Sequence, residues 1–223
     1  MADNMPVIAI DGPAASGKGT LAKRLAEQLG FAYLDSGSLY RAVALTLLEA
    51  GVDLNDQQAA EKAARTLDLA ITQKPALRSA ETGAAASIVA AMPQVRAALL
   101  EFQRIFAQKP PQNAKGAVLD GRDIGTVVCP KAACKLFVTA NDEVRAQRRF
   151  DELTAKGADV TYAQILRELR DRDERDMNRA TAPLSQAADA TLLDTSELDI
   201  EGAFQRALDI VSARLRGLGI SLP

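Results

Sequence analysis

Residues Ile8–Thr20 read IAIDGPAASGKGT, and no other stretch restricts the fold of this chain so tightly. An apolar strand ends at Asp11, a loop of small residues follows, and a helix opens near Gly17. Gly12, Gly17 and Lys18 match the spacing G-x-x-x-x-G-K, with Pro13, Ala14, Ala15 and Ser16 between the glycines. In that arrangement backbone N–H groups converge on phosphate oxygens, the helix N-terminus adds positive potential, and the lysine reaches the outer phosphates of a nucleotide. The strict pattern next requires Ser or Thr. Gly19 stands there instead, and the hydroxyl arrives one residue later at Thr20, so the loop is a variant.

A phosphate loop of this kind needs a sheet behind it. Five short apolar segments read as buried strands: Pro6–Asp11, Phe31–Asp35, Ala117–Asp120, Lys135–Ala140 and Ala190–Asp194. None alternates cleanly between apolar and polar, which suits a parallel sheet covered on both faces. Helical patterns separate them, over Gly17–Leu29, Ser38–Ala50, Asp56–Leu67, Pro93–Gln108, Asp142–Lys156, Tyr162–Asn178 and Ile200–Leu215. Strands alternating with helices predict an open α/β sheet. Two stretches break the alternation. Leu67–Met92 holds one weak strand, LDLAIT, and then an alanine-rich helix; Thr161–Ala182 is rich in arginine. Both are expected on the ligand side, beyond the carboxyl ends of the strands.

Composition removes several function classes. Lys plus Arg number 27 against 29 Asp plus Glu, a net charge of −2, which is not the footprint of a protein that grips a nucleic-acid polymer. Histidine is absent, so Ser-His-Asp catalysis, Cys-His catalysis and histidine-ligated zinc are excluded. Cys129 and Cys134 lack the spacing of a redox pair and read as spectator thiols, so a reducing cytoplasm is expected. No apolar run is long enough to span a membrane, and the N-terminal stretch does not read as a signal peptide.

Charged groups cluster after the strands. Asp35, Ser36 and Arg41 follow the second; Asp120, Arg122 and Asp123 follow the third; Arg145, Arg148 and Arg149 follow the fourth. Asp120 stands where phosphate-loop proteins place the acid that orients the hydration shell of magnesium. The segment LRDRDERDMNRA, Leu169–Ala180, carries four arginines. At about 100° per residue, with Arg172 at zero, Arg179 lies near −20°, Asp176 near +40° and Arg175 near −60°, while Asp171, Asp173 and Glu174 point roughly 100° or more away. Three guanidiniums thus share a stripe with one carboxylate. The stripe is either a solvated face or a surface that waits for a multiply charged anion.

GPAASGKGT, LDSGSLYR, AAASIVAAMPQVR, DGRDIGTVV and RDRDERDMNRATAPL together resemble the bacterial cytidylate kinases, within the nucleoside monophosphate kinases. The resemblance spans nearly the whole chain in the right order. It implies one P-loop kinase domain over residues 1–223, a three-layer α/β/α fold with a five-stranded parallel sheet. A short monophosphate-binding insert at about 56–108 and a helical lid at about 157–182 would complete it. It implies transfer of the γ-phosphoryl group of ATP, with Mg²⁺, to CMP or dCMP. By the same resemblance Ser36 and Arg41 hold the acceptor nucleotide, and Ser87, Arg96 and Asp123 read the cytosine. Arg122 contacts the acceptor phosphate. Arg172 and Arg179 of the lid reach phosphates, and Asp176 reaches the sugar. Lys18 and one of Arg148 or Arg149 serve the phosphates of ATP. Two departures stand out: Ala14-Ala15 replaces the family's usual Ser-Gly, and only QKPA separates LDLAIT from LRS, where relatives have further strands.

Such a reaction needs no general base. The acceptor is a phosphate monoester with a second pKa of about 6, already anionic at neutral pH. Positioning and charge neutralisation through Lys18, Mg²⁺ and the arginines would do the work. The expectation is a monomer that takes ATP with CMP or dCMP and has no membrane partner. A kinase for UMP or AMP and a nucleotide-binding switch are the other readings, although the N-K-x-D motif of guanine-reading switches is absent. Lys18→Met is expected to keep the fold and lose almost all transfer; CMP-dependent ADP formation, read beside a melting curve, checks it, and near-normal turnover would remove Lys18 from the reaction.

Overall fold

The computed structural model describes residues 5–220. Five strands form one parallel sheet: β1 (Val7–Asp11), β2 (Ala32–Asp35), β3 (Ala117–Gly121), β4 (Cys134–Thr139) and β5 (Thr191–Asp194), in the spatial order β2-β3-β1-β4-β5. The register sets Asp35 opposite Asp120, and Asp11 opposite Gly121 and Phe137. The carboxyl ends of β2, β3 and β1 therefore finish nearly level, and Asp35, Asp120 and Asp11 stand along that edge, while β4 runs on to Thr139.

The pleat explains why the strands read as continuous apolar runs. Ile8, Ile10, Val118, Leu136 and Val138 pack on one face beneath Leu21, Leu25, Leu29, Phe204, Val211 and Leu215. Those covering residues come from α1 (Lys18–Leu29) and α8 (Ile200–Gly217). Ala9, Ala117 and Leu119 point to the other face, against Ala107, Ile124 and Val128. With both faces covered, each large apolar side chain contributes about 1.5–3 kcal/mol of burial, and none can be replaced by a polar one without loss.

A second cluster lies beside β2 and β3. It is built from α2 (Ser36–Glu49), α3 (Gln57–Arg65), α4 (Ala80–Val89) and α5 (Pro93–Gln108), through Leu39, Val43, Ala60, Val89, Val95 and Leu99. Asp35 caps α2, its carboxylate accepting from the Ser38 N–H at 3.1 Å, so the helix begins at Ser36, two residues earlier than its pattern predicts. The strand expected at LDLAIT does not form. Leu69–Gln73 is a 3₁₀ turn, capped by Asp68 through the Ala70 N–H at 2.9 Å, and a second turn spans Pro75–Arg78. A lone strand there has no ladder partner, and an aspartate cap offers the backbone a local alternative.

Between β4 and β5, α6 (Asp142–Ala155) and α7 (Tyr162–Asn178) pack on the loop after β1. Ile165 and Leu169 of α7 bury against Ala14 and Ala146. Asp173 continues that i,i+4 row. It is buried, although the single-stripe reading turned it away from the anion side. Its carboxylate accepts from the Ala14 N–H at 3.2 Å and pairs with Arg145, which donates to the Ala14 carbonyl at 3.0 Å. Arg175 is exposed instead and donates to the backbone of Asp171. The helix thus buries two adjacent sides, one on the loop and one on the cleft. No single helix among the described residues is long and apolar enough to cross a membrane.

Breaking a buried ion pair by removing one partner costs about 3–5 kcal/mol. Asp173→Ala is therefore expected to strip hydrogen-exchange protection from Tyr162–Asn178 while the sheet amides stay protected. Unchanged protection would mean that Ile165 and Leu169 hold the helix alone.

Candidate active site

The loop after β1 is shaped by backbone geometry. Gly12 has φ 154°, and a Cβ there would lie 2.0 Å from the Val138 carbonyl oxygen, so only glycine fits. Ala15 (φ 56°) and Gly17 (φ 84°) are left-handed and curl the loop toward its own centre. For alanine this conformation costs roughly 1–2 kcal/mol, which the fold must offset. The first turn of α1 has no side-chain cap and no acid, so its N–H groups face the loop unopposed. Lys18 folds back, donating to the Pro13 carbonyl at 3.2 Å, and is buried. Burial, then the neighbouring Arg122, pushes its ammonium down to about 7. Ser16 is buried too, and its hydroxyl has no partner.

Three acids frame this cradle. Asp11 accepts from the Ile124 and Gly125 N–H groups at 2.8 and 2.7 Å, fixing the turn after β3; burial raises it to about 6. Asp120 is buried and raised to about 6, by burial first and then by Asp35 opposite. Its Oδ1 accepts from the Tyr33 hydroxyl at 2.8 Å. Among the described residues no group of three or more acids, thiols and imidazoles could hold a metal by itself. Asp120 is the acid of the three that would face a cation shared with a bound phosphate. Thr20 is exposed, and Gly19 leaves open space before Asp120.

Beside the loop opens a small cleft. Ser36, Ser87, Arg96, Arg122, Asp123, Arg172, Asp176 and Arg179 all line it, although they come from five different parts of the chain. Arg96 and Asp123 form a buried ion pair at its inner end, and the Arg96 guanidinium lies 5.4 Å from the centre of the Tyr40 ring. Arg96 also donates to the Ala90 carbonyl at 3.2 Å, while the Ser87 hydroxyl has no partner. Ser36 donates to the Asp120 carbonyl at 2.7 Å. Arg122 pairs with Asp176 at 2.8 Å, and Arg179 approaches the same carboxylate at 3.6 Å. Arg172, four residues before Asp176 on the same helix, makes no ion pair with it. Arg172 Nε and Arg179 Nη2 are buried without any partner. Burial and Arg122 push Arg172 down to about 10. One carboxylate thus faces three guanidiniums, which is a site for an anion.

Other expected residues lie off the cleft wall. Arg41 donates to the Leu77 and Ser79 carbonyls at 3.0 and 3.3 Å, lying over Gly83, where a Cβ would meet it at 2.8 Å. Arg148 donates to the Thr195 hydroxyl and to the Thr195 and Leu198 carbonyls, which ties α6 to the loop after β5. Arg149 pairs with Glu152 and adds to the positive field around Arg41. The sequence reading passed over Tyr40, Tyr33, Asp11 and the Asp173–Arg145 pair. Tyr40 lies one turn after Ser36 on α2, so the i,i+4 rule was the available signal for it.

A phosphate loop at the carboxyl edge of a parallel sheet, facing a cation-rich cleft, defines a P-loop phosphotransferase. The structure is similar to that of a gluconokinase from Sinorhizobium meliloti 1021, with a TM-score of 0.53 and 12% identity over 96% of both chains, a likeness of fold. The family model for cytidylate kinase matches residues 8–213. A cytidylate kinase from Rhodopseudomonas palustris is 60% identical over 207 residues, 93% of this chain and 96% of that one. One from Xanthobacter autotrophicus is 61% identical over 211 residues, 95% and 99% of the two chains. The chain belongs to the cytidylate kinase family and is a kinase.

Lys18 sets a pH dependence. Above about pH 7 its buried amine is neutral in the free protein, and a polyphosphate beside it restores the charged form. At pH 8.5 the phosphates are fully ionised and Asp120 is ionised with or without ligand, so neither contributes. Binding of ADP there is expected to take up as much as about one proton, and affinity to fall as pH rises above 7. Calorimetry in two buffers of different ionisation enthalpy measures it; no uptake would mean the amine is already charged.

Proposed function

We propose that the loop holds ATP and the cleft holds CMP or dCMP, so that the γ-phosphoryl group passes to the acceptor phosphate and leaves CDP or dCDP and ADP. The observation that carries this reading is the pair of buried, partnerless guanidinium nitrogens on Arg172 and Arg179, the first close enough to the loop lysine and the second to the Arg96–Asp123 pair for their charges to interact. The phosphates supply the missing anion and the polar inner end receives the base.

In this reading Lys18, Arg122, Arg172 and Arg179 neutralise the charge of the transferring group and hold it in line. Loop residues Gly12–Thr20 bind ATP through their backbone. Arg149 serves its phosphates, because Arg148 is committed to three acceptors. Ser36 and Asp176 hold the acceptor nucleotide, and Arg41 acts from the rim. Asp123 accepts the cytosine amino group, Arg96 donates to its ring, and Ser87 offers its free hydroxyl. The 56–108 region serves as the acceptor insert and residues 157–182 as a lid that keeps water out. Mg²⁺ bound with ATP would supply charge neutralisation on the phosphates, with Asp120 holding its water shell. The buried, partly free Asp120 carboxylate and the lack, among the described residues, of a closed protein cage fit such a shared cation. We take the working form to be a cytoplasmic monomer.

Assays with ATP across the nucleoside monophosphates test the reading, and preference for any base but cytosine would overturn it. Asp123→Ala refines it. Loss of a buried polar contact costs about 1–3 kcal/mol, so kcat/KM for CMP is expected to fall roughly ten- to a hundredfold. The CMP/UMP ratio should fall as well, since the carboxylate repels the oxygen that uracil carries in place of the amino group. An equal loss on both substrates with a lower Tm would make Asp123 only the structural partner of Arg96.

A further inference from the structure

The position after the loop lysine is occupied by Gly19, where the strict phosphate-loop pattern has a hydroxyl side chain. A Cβ at Gly19 would lie 3.8 Å from Asp120 Oδ2 and 3.8 Å from the Tyr33 hydroxyl oxygen. A side-chain hydroxyl at position 19 would therefore enter a gap that the phenol of Tyr33 already borders. Tyr33 reaches it from the neighbouring strand β2, opposite Val118 and two residues before Asp35. Its hydroxyl donates to Asp120 Oδ1 at 2.8 Å. With Oδ1 engaged, Oδ2 is the oxygen turned toward the start of α1. Burial, then Asp120 and Asp35, pushes the phenol up and away from ionisation, so it remains a donor across the neutral range.

We propose that Tyr33 is a positioning residue that closes, from β2, the gap left at Gly19, holding Asp120 with Oδ2 toward the phosphates and their cation. The phenol acts on the carboxylate alone and does not touch the substrate. The bland reading is that Tyr33 merely packs against the core beneath α1, which its ring does. That role needs the ring and not the hydroxyl, so the two readings separate cleanly. The inference rests on the loop being the nucleotide site and does not depend on the identity of the acceptor.

The test uses the full chain as Tyr33→Phe and as Tyr33→Phe with Gly19→Ser. Serine is tolerable at position 19, because Gly19 is not left-handed and its Cβ meets only ordinary contacts. The first readout is the rise in Tm on adding ADP with Mg²⁺, less the rise with ADP in EDTA. The second is KM for Mg·ATP against kcat at saturating CMP. Tyr33→Phe should leave the unliganded Tm within a few degrees, lose most of the Mg²⁺-dependent rise and lower kcat/KM about tenfold. The added serine should recover most of both losses. A full Mg²⁺-dependent rise in Tyr33→Phe would overturn the proposal, as would a loss that serine does not recover. A lowered unliganded Tm with an unchanged Mg²⁺ increment would assign Tyr33 to packing and overturn it equally. If the wild-type chain shows these thermal effects without turning over CMP, the proposal stands and the acceptor reading fails.

Discussion

The site depends on positive charge that the protein buries without neutralising. Lys18, Arg122, Arg172 and Arg179 meet chiefly Asp176 and Asp120, and two guanidinium nitrogens have no partner. Desolvated cations of this kind cost several kcal/mol unless paired. The cost appears in the lowered positions of Lys18 and Arg172, both driven first by burial and then by Arg122. A bound polyphosphate removes that repulsion, so the same groups that weaken the empty site strengthen the filled one.

Such a charge cluster can be held only by a frame that resists it, and the frame is the carboxyl edge of the sheet. Asp11 clamps the turn after β3, Asp35 caps α2, and Asp120 stands between them. Each acid stands at or next to the end of its strand, Asp11 and Asp35 fix backbone of other segments, and Asp120 is held by Tyr33. Asp173 extends the same logic to α7, joining it to the loop through Ala14 and Arg145. The helix that carries Arg172 and Asp176 is therefore tied to the backbone of the loop after β1. A shift of the loop on binding nucleotide would be felt directly by α7.

Much of the site was legible because its residues follow strand ends or lie in recognisable runs. Ser36, Arg122, Asp123, Arg172, Asp176 and Arg179 all reach the cleft, and so do the more distant Ser87 and Arg96. Arg41 and Arg148 illustrate what residue type leaves open, since a guanidinium beside free carbonyls is drawn to them instead of to the cleft. Asp173 escaped because the reading allowed α7 one buried side, whereas the helix wedges between loop and cleft and buries two. LDLAIT escaped because strand propensity counts only where a ladder is available, and none adjoins it.

The sequence by itself determined the alternation of strands and helices, the parallel sheet and the phosphate loop at its edge. These follow from local periods and from glycines whose backbone no other residue can adopt, so nearby residues suffice to specify them. Only the tertiary structure decided which charges face one another. It set Tyr33 beside Gly19, Arg145 beneath Asp173 and Arg172 without a partner. A pairing such as that of Ala14 with Asp173, 159 positions apart, leaves no trace in any local pattern. The physical reason is that a buried charge is settled by whichever donor or acceptor the packing of separate elements brings within about 3 Å.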